Sequence, residues 1–275
     1  MRHAMTAGLV TGVTTSLVGT WVVLRGMAFM GDALAHGVLP GLTLAYLLEI
    51  SLILGAAVAA VVVIGGVGVV QRCARLRADT GIGLLFVGML ALGVIIASKA
   101  QSYAGDLTAI LFGDVLGVTD ADIGVAAVAA VVAIVLTVVL YRPFIVLALD
   151  ERKAAVLGLR PRLAHVVLLA LLAAAIIASF RAVGVLLVFG FLIAPPATAA
   201  LVTRRVPVMM LAAIGFAVVG VLAGLLVSFH LGTAGSATMV GVTVAEFFLI
   251  LLGKEVRGWL AASAANRPPV PDGSG

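Results

Sequence analysis

An all-α, polytopic membrane protein is what this sequence predicts, and three observations predict it. Of the 275 residues, 63% are hydrophobic and only 11% charged, with a mean hydropathy of +1.29, a balance that soluble domains do not carry. The apolar residues fall into about nine runs long enough to cross a hydrocarbon core ~30 Å thick as helices. Glycine supplies 32 residues while aromatics supply 6%, which suits close helix packing rather than the alternating segments of a transmembrane barrel.

In chain order the expected spans are 6–24, 30–48, 51–71, 82–99, 123–141, 163–180, 183–203, 207–229 and 236–253. Met1, Arg2 and His3 precede the first run, but no small-residue cleavage site leads into a soluble domain, so this run is read as a span and not a leader. Basic residues set the orientation. With the N-terminus outside and the C-terminus inside, all of the 17 Lys and Arg residues except Arg2, Lys99 and Arg181 lie on the cytoplasmic side, the bias that membrane insertion produces. The net charge of +5 therefore records topology, and no nucleic-acid partner is expected. The sixth and seventh runs nearly touch around Arg181, so one of them is expected to be short or re-entrant. Pro195 and Pro196 are expected to kink the seventh run near its inner end, and Gly65, Gly66 and Gly68 to serve as packing positions. Residues 1–258 read as one membrane domain. Residues 259–275 read as a cytoplasmic tail, disordered through its Pro-, Gly- and Ser-rich end. The single cysteine, Cys73, excludes an intrachain disulfide and a thiolate metal cluster.

The second run carries the chemistry, in the stretch RGMAFMGDALAHGVLPG at 25–41. Asp32 and His36 are four apart, so a helix stacks them on one face. An acid and an imidazole at membrane depth cost a few kcal/mol and usually face a pathway or a partner. Two readings stand for the pair, a cation path and a buried structural hydrogen bond. Pro40 cannot donate to the carbonyl of His36, so the helix is expected to loosen or kink there. Glu246, inside the ninth run, needs a partner that the sequence does not name. His230, at the end of the eighth run, is either an interfacial anchor or a further ligand. His165 beside the basic inner loop reads as interfacial.

Two connecting segments are more than loops. The outer segment 101–122 contains Asp106, Asp114, Asp120 and Asp122 around an apolar LTAILFG, and a short surface helix is expected in it. The inner segment 150–158 reads DERKAAVLG. Asp150 can cap it, Ala154, Ala155 and Leu157 give it an apolar side, and Gly158 ends it before Pro161. Such a two-turn helix is either a docking knob for a cytoplasmic protein or an ordinary interfacial helix.

Catalytic signatures do not appear. Gly253-Lys254 lacks the upstream glycine and the following Ser or Thr of a phosphate-binding loop, and no nucleophile triad or zinc-protease motif is present, so the chain is not expected to be an enzyme. The stretch at 25–41, the LFGD at 111–114, the AAVLG at 154–158 and the VGVLLV at 183–188 leading to IAPPAT at 193–198 together resemble the permease subunit of metal-cation ABC importers. The resemblance covers nearly the whole chain, through stretches that agree in order and spacing.

That resemblance implies a type II-like importer fold and uptake of Zn(II), Mn(II) or Fe(II) across the bacterial cytoplasmic membrane. It implies a homodimer fed by an external metal-binding protein and driven by a cytoplasmic ATP-binding-cassette subunit, for which the short inner segment with Asp150, Ala154, Ala155, Leu157 and Gly158 is the expected docking knob. Asp32 and His36 match the acid and histidine said to line the cation path. The transported divalent cation is then cargo, and no permanently bound cofactor is expected. One departure is Phe229-His230-Leu231-Gly232-Thr233, where the family tends to carry an aromatic and an acid. A siderophore or corrinoid permease is the nearer rival reading; a stand-alone proton-coupled carrier is the more distant one, for which no second copy of the Asp32–His36 motif is found.

Overall fold

The computed structural model describes residues 2–73, 78–98, 117–149 and 161–265. These residues form eleven helices and no strand: α1 (Arg2–Leu24), α2 (Ala28–Gly37), α3 (Leu39–Leu47), α4 (Leu52–Cys73), α5 (Ala78–Ala97), α6 (Asp120–Val139), α7 (Tyr141–Leu149), α8 (Pro161–Val183), α9 (Val185–Val202), α10 (Val206–Leu231) and α11 (Gly235–Ala265). Six are long and apolar enough to cross a membrane, and Thr80–Ile96 and Leu187–Val202 are shorter apolar helices. The expected second span is divided between α2 and α3.

Helix α1 is the axis of the bundle. It packs against α6, α8, α9 and α10, and 72% of its spanning window is buried in protein. Three of its buried hydroxyls bond within the helix, Thr14 to Val10 O at 2.8 Å, Thr15 to Thr11 O at 2.7 Å and Thr20 to Ser16 O at 2.8 Å, which satisfies a polar group without solvent; Thr11 Oγ1 and Ser16 Oγ are buried without a partner among the described residues. Trp21 is fully buried and meets Tyr141 and Phe144 edge-on, with ring centroids 5.8 and 5.4 Å apart. Helix α9 comes closest to α1 at Gly19, where an added Cβ would lie 1.9 Å from the carbonyl oxygen of Leu192. That carbonyl has no helical donor, since position 196 is proline. The prolines thus remain inside α9, and one freed carbonyl rests against a neighbouring glycine.

A second layer, α2 to α5, is attached to this bundle through α2 on α9 and α4 on α8. Within it α3 and α4 cross backbone to backbone: a Cβ on Gly41 would sit 2.2 Å from Gly55 O, and one on Gly55 would sit 2.3 Å from Gly41 O. Of the three glycines expected to pack in α4, only Gly66 does, against Leu85; Gly65 and Gly68 face open space.

Three boundaries differ from expectation. Helix α6 begins at Asp120 rather than in the run at 123, because Thr119 and Asp122 close a capping box, Thr119 N donating to Asp122 Oδ2 at 3.2 Å and Asp122 N to Thr119 Oγ1 at 3.3 Å. Helix α11 continues past 258 to Ala265, so the first residues assigned to the tail are helical; 266–275 lie outside the described residues. The junction around Arg181 is a single residue, Gly184, at φ 81° and ψ 157°, a conformation open to glycine. The helix after it, α9, has 18 residues, about 27 Å at 1.5 Å per residue. It is the shorter partner, and it nearly spans.

Contacts between chain ends agree with the orientation drawn from charge. His3 Nε2 lies 3.0 Å from Asp120 Oδ1, joining the starts of α1 and α6. Arg25 Nη1 meets His165 Nδ1, joining the end of α1 to the start of α8. Lys254 Nζ donates to Leu201 O at 3.0 Å, joining α11 to the end of α9. Each contact pairs two positions that the basic residues place on the same side.

Candidate cation-binding site on the broken second helix

Helix α2 ends at Gly37 and α3 starts at Leu39, with Val38 between them at φ −80° and ψ −14°. Val38 N still donates to Leu34 O at 3.2 Å and Leu42 N to Val38 O at 3.0 Å. Pro40, in the first turn of α3, has no N–H for His36 O, so the ladder is interrupted one turn after the histidine.

The inward face of α2 is built to approach other helices. Leu34 and Ala35 are fully buried, Gly31 lies under Leu192 of α9 and Gly37 under Val63 of α4. The remaining edge carries Phe29, Asp32 and His36, spaced i, i+3, i+7 and so nearly in line. Phe29 is 67% exposed. The side chains of Asp32 and His36 are 24% and 21% exposed, and Asp32 Oδ1 lies 3.4 Å from His36 Nε2. Phe86 of α5 meets the imidazole edge-on, its centroid 5.5 Å away, and fixes one side of the ring. His36 Nδ1 is buried with no hydrogen-bond partner among the described residues. The pair therefore offers an oxygen and a nitrogen one turn apart, walled on one side by protein and open on the other.

No group of three or more His, Cys, Asp or Glu side chains that could hold a metal is found among the described residues. His230 does not join the pair. It stands at the end of α10, a helix that has no substantial packing on α2, and its Nδ1 lies 2.8 Å from Leu226 O. The expected coupling residues Asp150, Ala154, Ala155, Leu157 and Gly158 lie outside the described residues, as do Asp106 and Asp114. Glu246 is in α11 with both carboxylate oxygens buried and without a hydrogen-bond partner among the described residues.

Residues 1–254 match the family model described as the ABC 3 transport family. The chain belongs to the ABC 3 transport family. Among its relatives, the manganese transport system membrane protein MntC of Listeria innocua is 35% identical over 260 residues, covering 94% of this chain and 92% of the relative. A probable iron transport system membrane protein of Haemophilus influenzae is 35% identical over 257 residues, covering 94% of each. In three dimensions the chain is similar to the solved structure of PsaBC from Streptococcus pneumoniae in complex with Fab, with a TM-score of 0.82, 28% identity and 90% of each chain covered. Family membership and the apolar helices make it a multi-pass protein of the bacterial cytoplasmic membrane and a transport permease.

Within this family member, sequence reasoning missed three contacts of the described residues. Phe86 on His36, His165 on Arg25 and Asp120 on His3 each join side chains that are far apart in sequence or lie across an element boundary. No local pattern marks such pairs; only the packing of α5 on α2, α8 on α1 and α6 on α1 creates them.

Proposed function

We propose that this permease imports divalent transition-metal cations, manganese or iron foremost and zinc as a third candidate, through a path that Asp32 and His36 line. The observation that carries the proposal is the half-open pair on α2. One carboxylate and one imidazole make a weak site in a single copy, and leaving their open side to lipid would cost a few kcal/mol. A second copy related by a two-fold axis supplies the same two groups again. Two carboxylates and two imidazoles form a four-ligand set that Mn(II) and Fe(II) accept with added water and Zn(II) accepts tetrahedrally. The names of the relatives, which record manganese and iron transport, support the same cargo. Membership in an ABC transport family favours a conduit driven by a separate ATPase chain over a stand-alone carrier, and an external binding protein is the expected donor.

Radiolabelled manganese uptake by the assembled transporter in metal-starved cells tests the path. Asp32→Asn keeps shape and removes charge; His36→Ala removes the nitrogen. Each is expected to cut uptake at least about tenfold, since even groups that only support metal ligands cost 10–100-fold, while the complex still assembles. Normal uptake by Asp32→Asn returns the pair to a structural role.

The ATPase subunit is assigned to the inner segment that holds Asp150, Ala154, Ala155, Leu157 and Gly158, on the strength of its compact apolar side between two spans. Ala155→Trp is expected to abolish uptake while the permease stays folded in the membrane. Undiminished uptake in that variant removes the assignment.

A further inference from the structure

Among the described residues, the ring of helices around α1 has a gap. Helices α8 and α9 touch, α9 and α10 touch, and α6 and α8 touch, but no substantial packing joins α6 to α10. Between them lies a groove of about 570 Å³ with Val13 and Leu17 of α1 as its floor, Val138 and Tyr141 on one wall, and Pro207 and Leu211 on the other. Val138 is 69% exposed and Leu211 71%, so the walls continue outward as an apolar membrane surface. The size falls within the ~300–1,000 Å³ of small-molecule sites. Helix α2 is attached on the α8–α9 side of α1, so the groove faces away from the candidate cation site.

One end of the groove is basic. Tyr141 is followed by Arg142, and Pro207 is preceded by Arg204 and Arg205; all three arginines are exposed. None of them makes an ion pair with a described residue. By the charge distribution this is the cytoplasmic end of the spans. Basic positions between spans on that side recognise anionic headgroups.

We infer that this groove holds one acyl chain of an anionic phospholipid, whose phosphate is met by Arg142, Arg204 and Arg205. A chain rather than a helix fits it. The backbone-to-backbone helix approaches among the described residues are made at glycine, at Gly19, Gly41, Gly55 and Gly224, whereas the groove is lined by larger side chains and contains no glycine. The tyrosine at its polar end sits where amphipathic rings mark a membrane interface, held in place by Trp21.

Trp21 is also the reporter. The chain has two tryptophans, and Trp259→Phe leaves only the one behind Tyr141. The full-length protein is reconstituted in nanodiscs doped with phosphatidylglycerol or phosphatidylcholine carrying the same brominated acyl chains. Trp21 is expected to be quenched preferentially by the brominated phosphatidylglycerol, and unlabelled phosphatidylglycerol to relieve the quenching. Arg142→Gln is expected to weaken that preference roughly fivefold, the share of one arginine near the surface, and the triple Arg142→Gln, Arg204→Gln, Arg205→Gln variant to bring the two lipids to parity. Val138→Phe with Leu211→Phe, which narrows the groove and leaves the charges, is expected to reduce quenching by both lipids. Equal quenching by the two lipids in the unsubstituted protein, or a preference that survives the triple variant, overturns the inference. Absence of quenching that reverses on dilution to single copies also overturns it, because a second copy then fills the groove.

Discussion

Leu192 of α9 touches two glycines on two different helices, and replacing each by alanine should have unequal effects. At Gly19 of α1 the added Cβ meets backbone, 1.9 Å from Leu192 O and 2.8 Å from its carbonyl carbon. Ordinary contact begins at 3.4 Å, so α1 and α9 must separate by roughly 1.5 Å (3.4 − 1.9) along one of the most extensive contacts of the bundle. Overpacking of this kind costs about 1–3 kcal/mol, and here the neighbour cannot rotate away. At Gly31 of α2 the Cβ meets Leu192 Cδ2 at 2.4 Å, with the next atoms 3.9 Å away. That atom ends a flexible side chain, so a rotamer change relieves it at about 0.5–1.5 kcal/mol, partly offset by the gain of alanine over glycine in a helix, about 0.5–1 kcal/mol. Gly65→Ala, which meets nothing within 4 Å, shows that gain alone. Thermal denaturation of the purified protein in one detergent should therefore rank Gly65→Ala at or above the unsubstituted protein, Gly31→Ala near it, and Gly19→Ala several degrees below. Gly19→Ala as stable as Gly31→Ala would falsify the claim that the Leu192 carbonyl and α1 are in rigid contact. Gly31 precedes Asp32, so Gly31→Ala is also expected to slow manganese uptake without lowering stability.

Pro40→Ala restores an N–H to His36 O, worth about 0.5–1.5 kcal/mol as a hydrogen bond, and should join α2 to α3; stability should rise and uptake should fall several-fold, and unchanged uptake means that the break at Val38 has no part in transport. Glu246→Gln replaces a carboxyl group whose two oxygens are buried and unpartnered among the described residues by one that cannot ionise, so the isolated permease should gain about 1 kcal/mol of stability, read as a higher melting temperature. A lower melting temperature there points to a partner for the carboxylate in the purified protein.

The span pattern was readable from hydropathy because every lipid-facing residue has to be apolar, and the break in the second span was readable because a missing N–H is a local fact about Pro40. The i, i+4 spacing of Asp32 and His36 was equally local. Hydropathy does not say which faces meet protein. The first span has a hydropathy of 1.6 against 2.7 for Leu52–Val70, yet 72% of it is buried against 28%; the polar surplus, Thr11 to Thr20, is the mark of a helix that never meets lipid broadly. Nothing local in the sequence pairs Gly41 with Gly55, and only the crossing of α3 on α4 shows that they face each other. Gly65 and Gly68 belong to the same composition and face nothing. The length of α11 was misjudged because Lys254, Glu255 and Arg257 end the apolar run without ending the helix; nothing among them breaks its ladder.

The single residue between α8 and α9 sets a mechanical limit. Two Cα–Cα steps reach at most about 7 Å from Val183 to Val185, most of the 8–10 Å that separates packed helix axes. An axial slip of one helical turn, ~5.4 Å, is then beyond the tether. At that end the two helices behave as a hinged pair of struts, able to splay about Gly184 but not to slide. Leu192, lower on the same strut, is wedged against α1 on one side and α2 on the other, so a splay of α9 arrives at Asp32 as a sideways push on the helix that carries it.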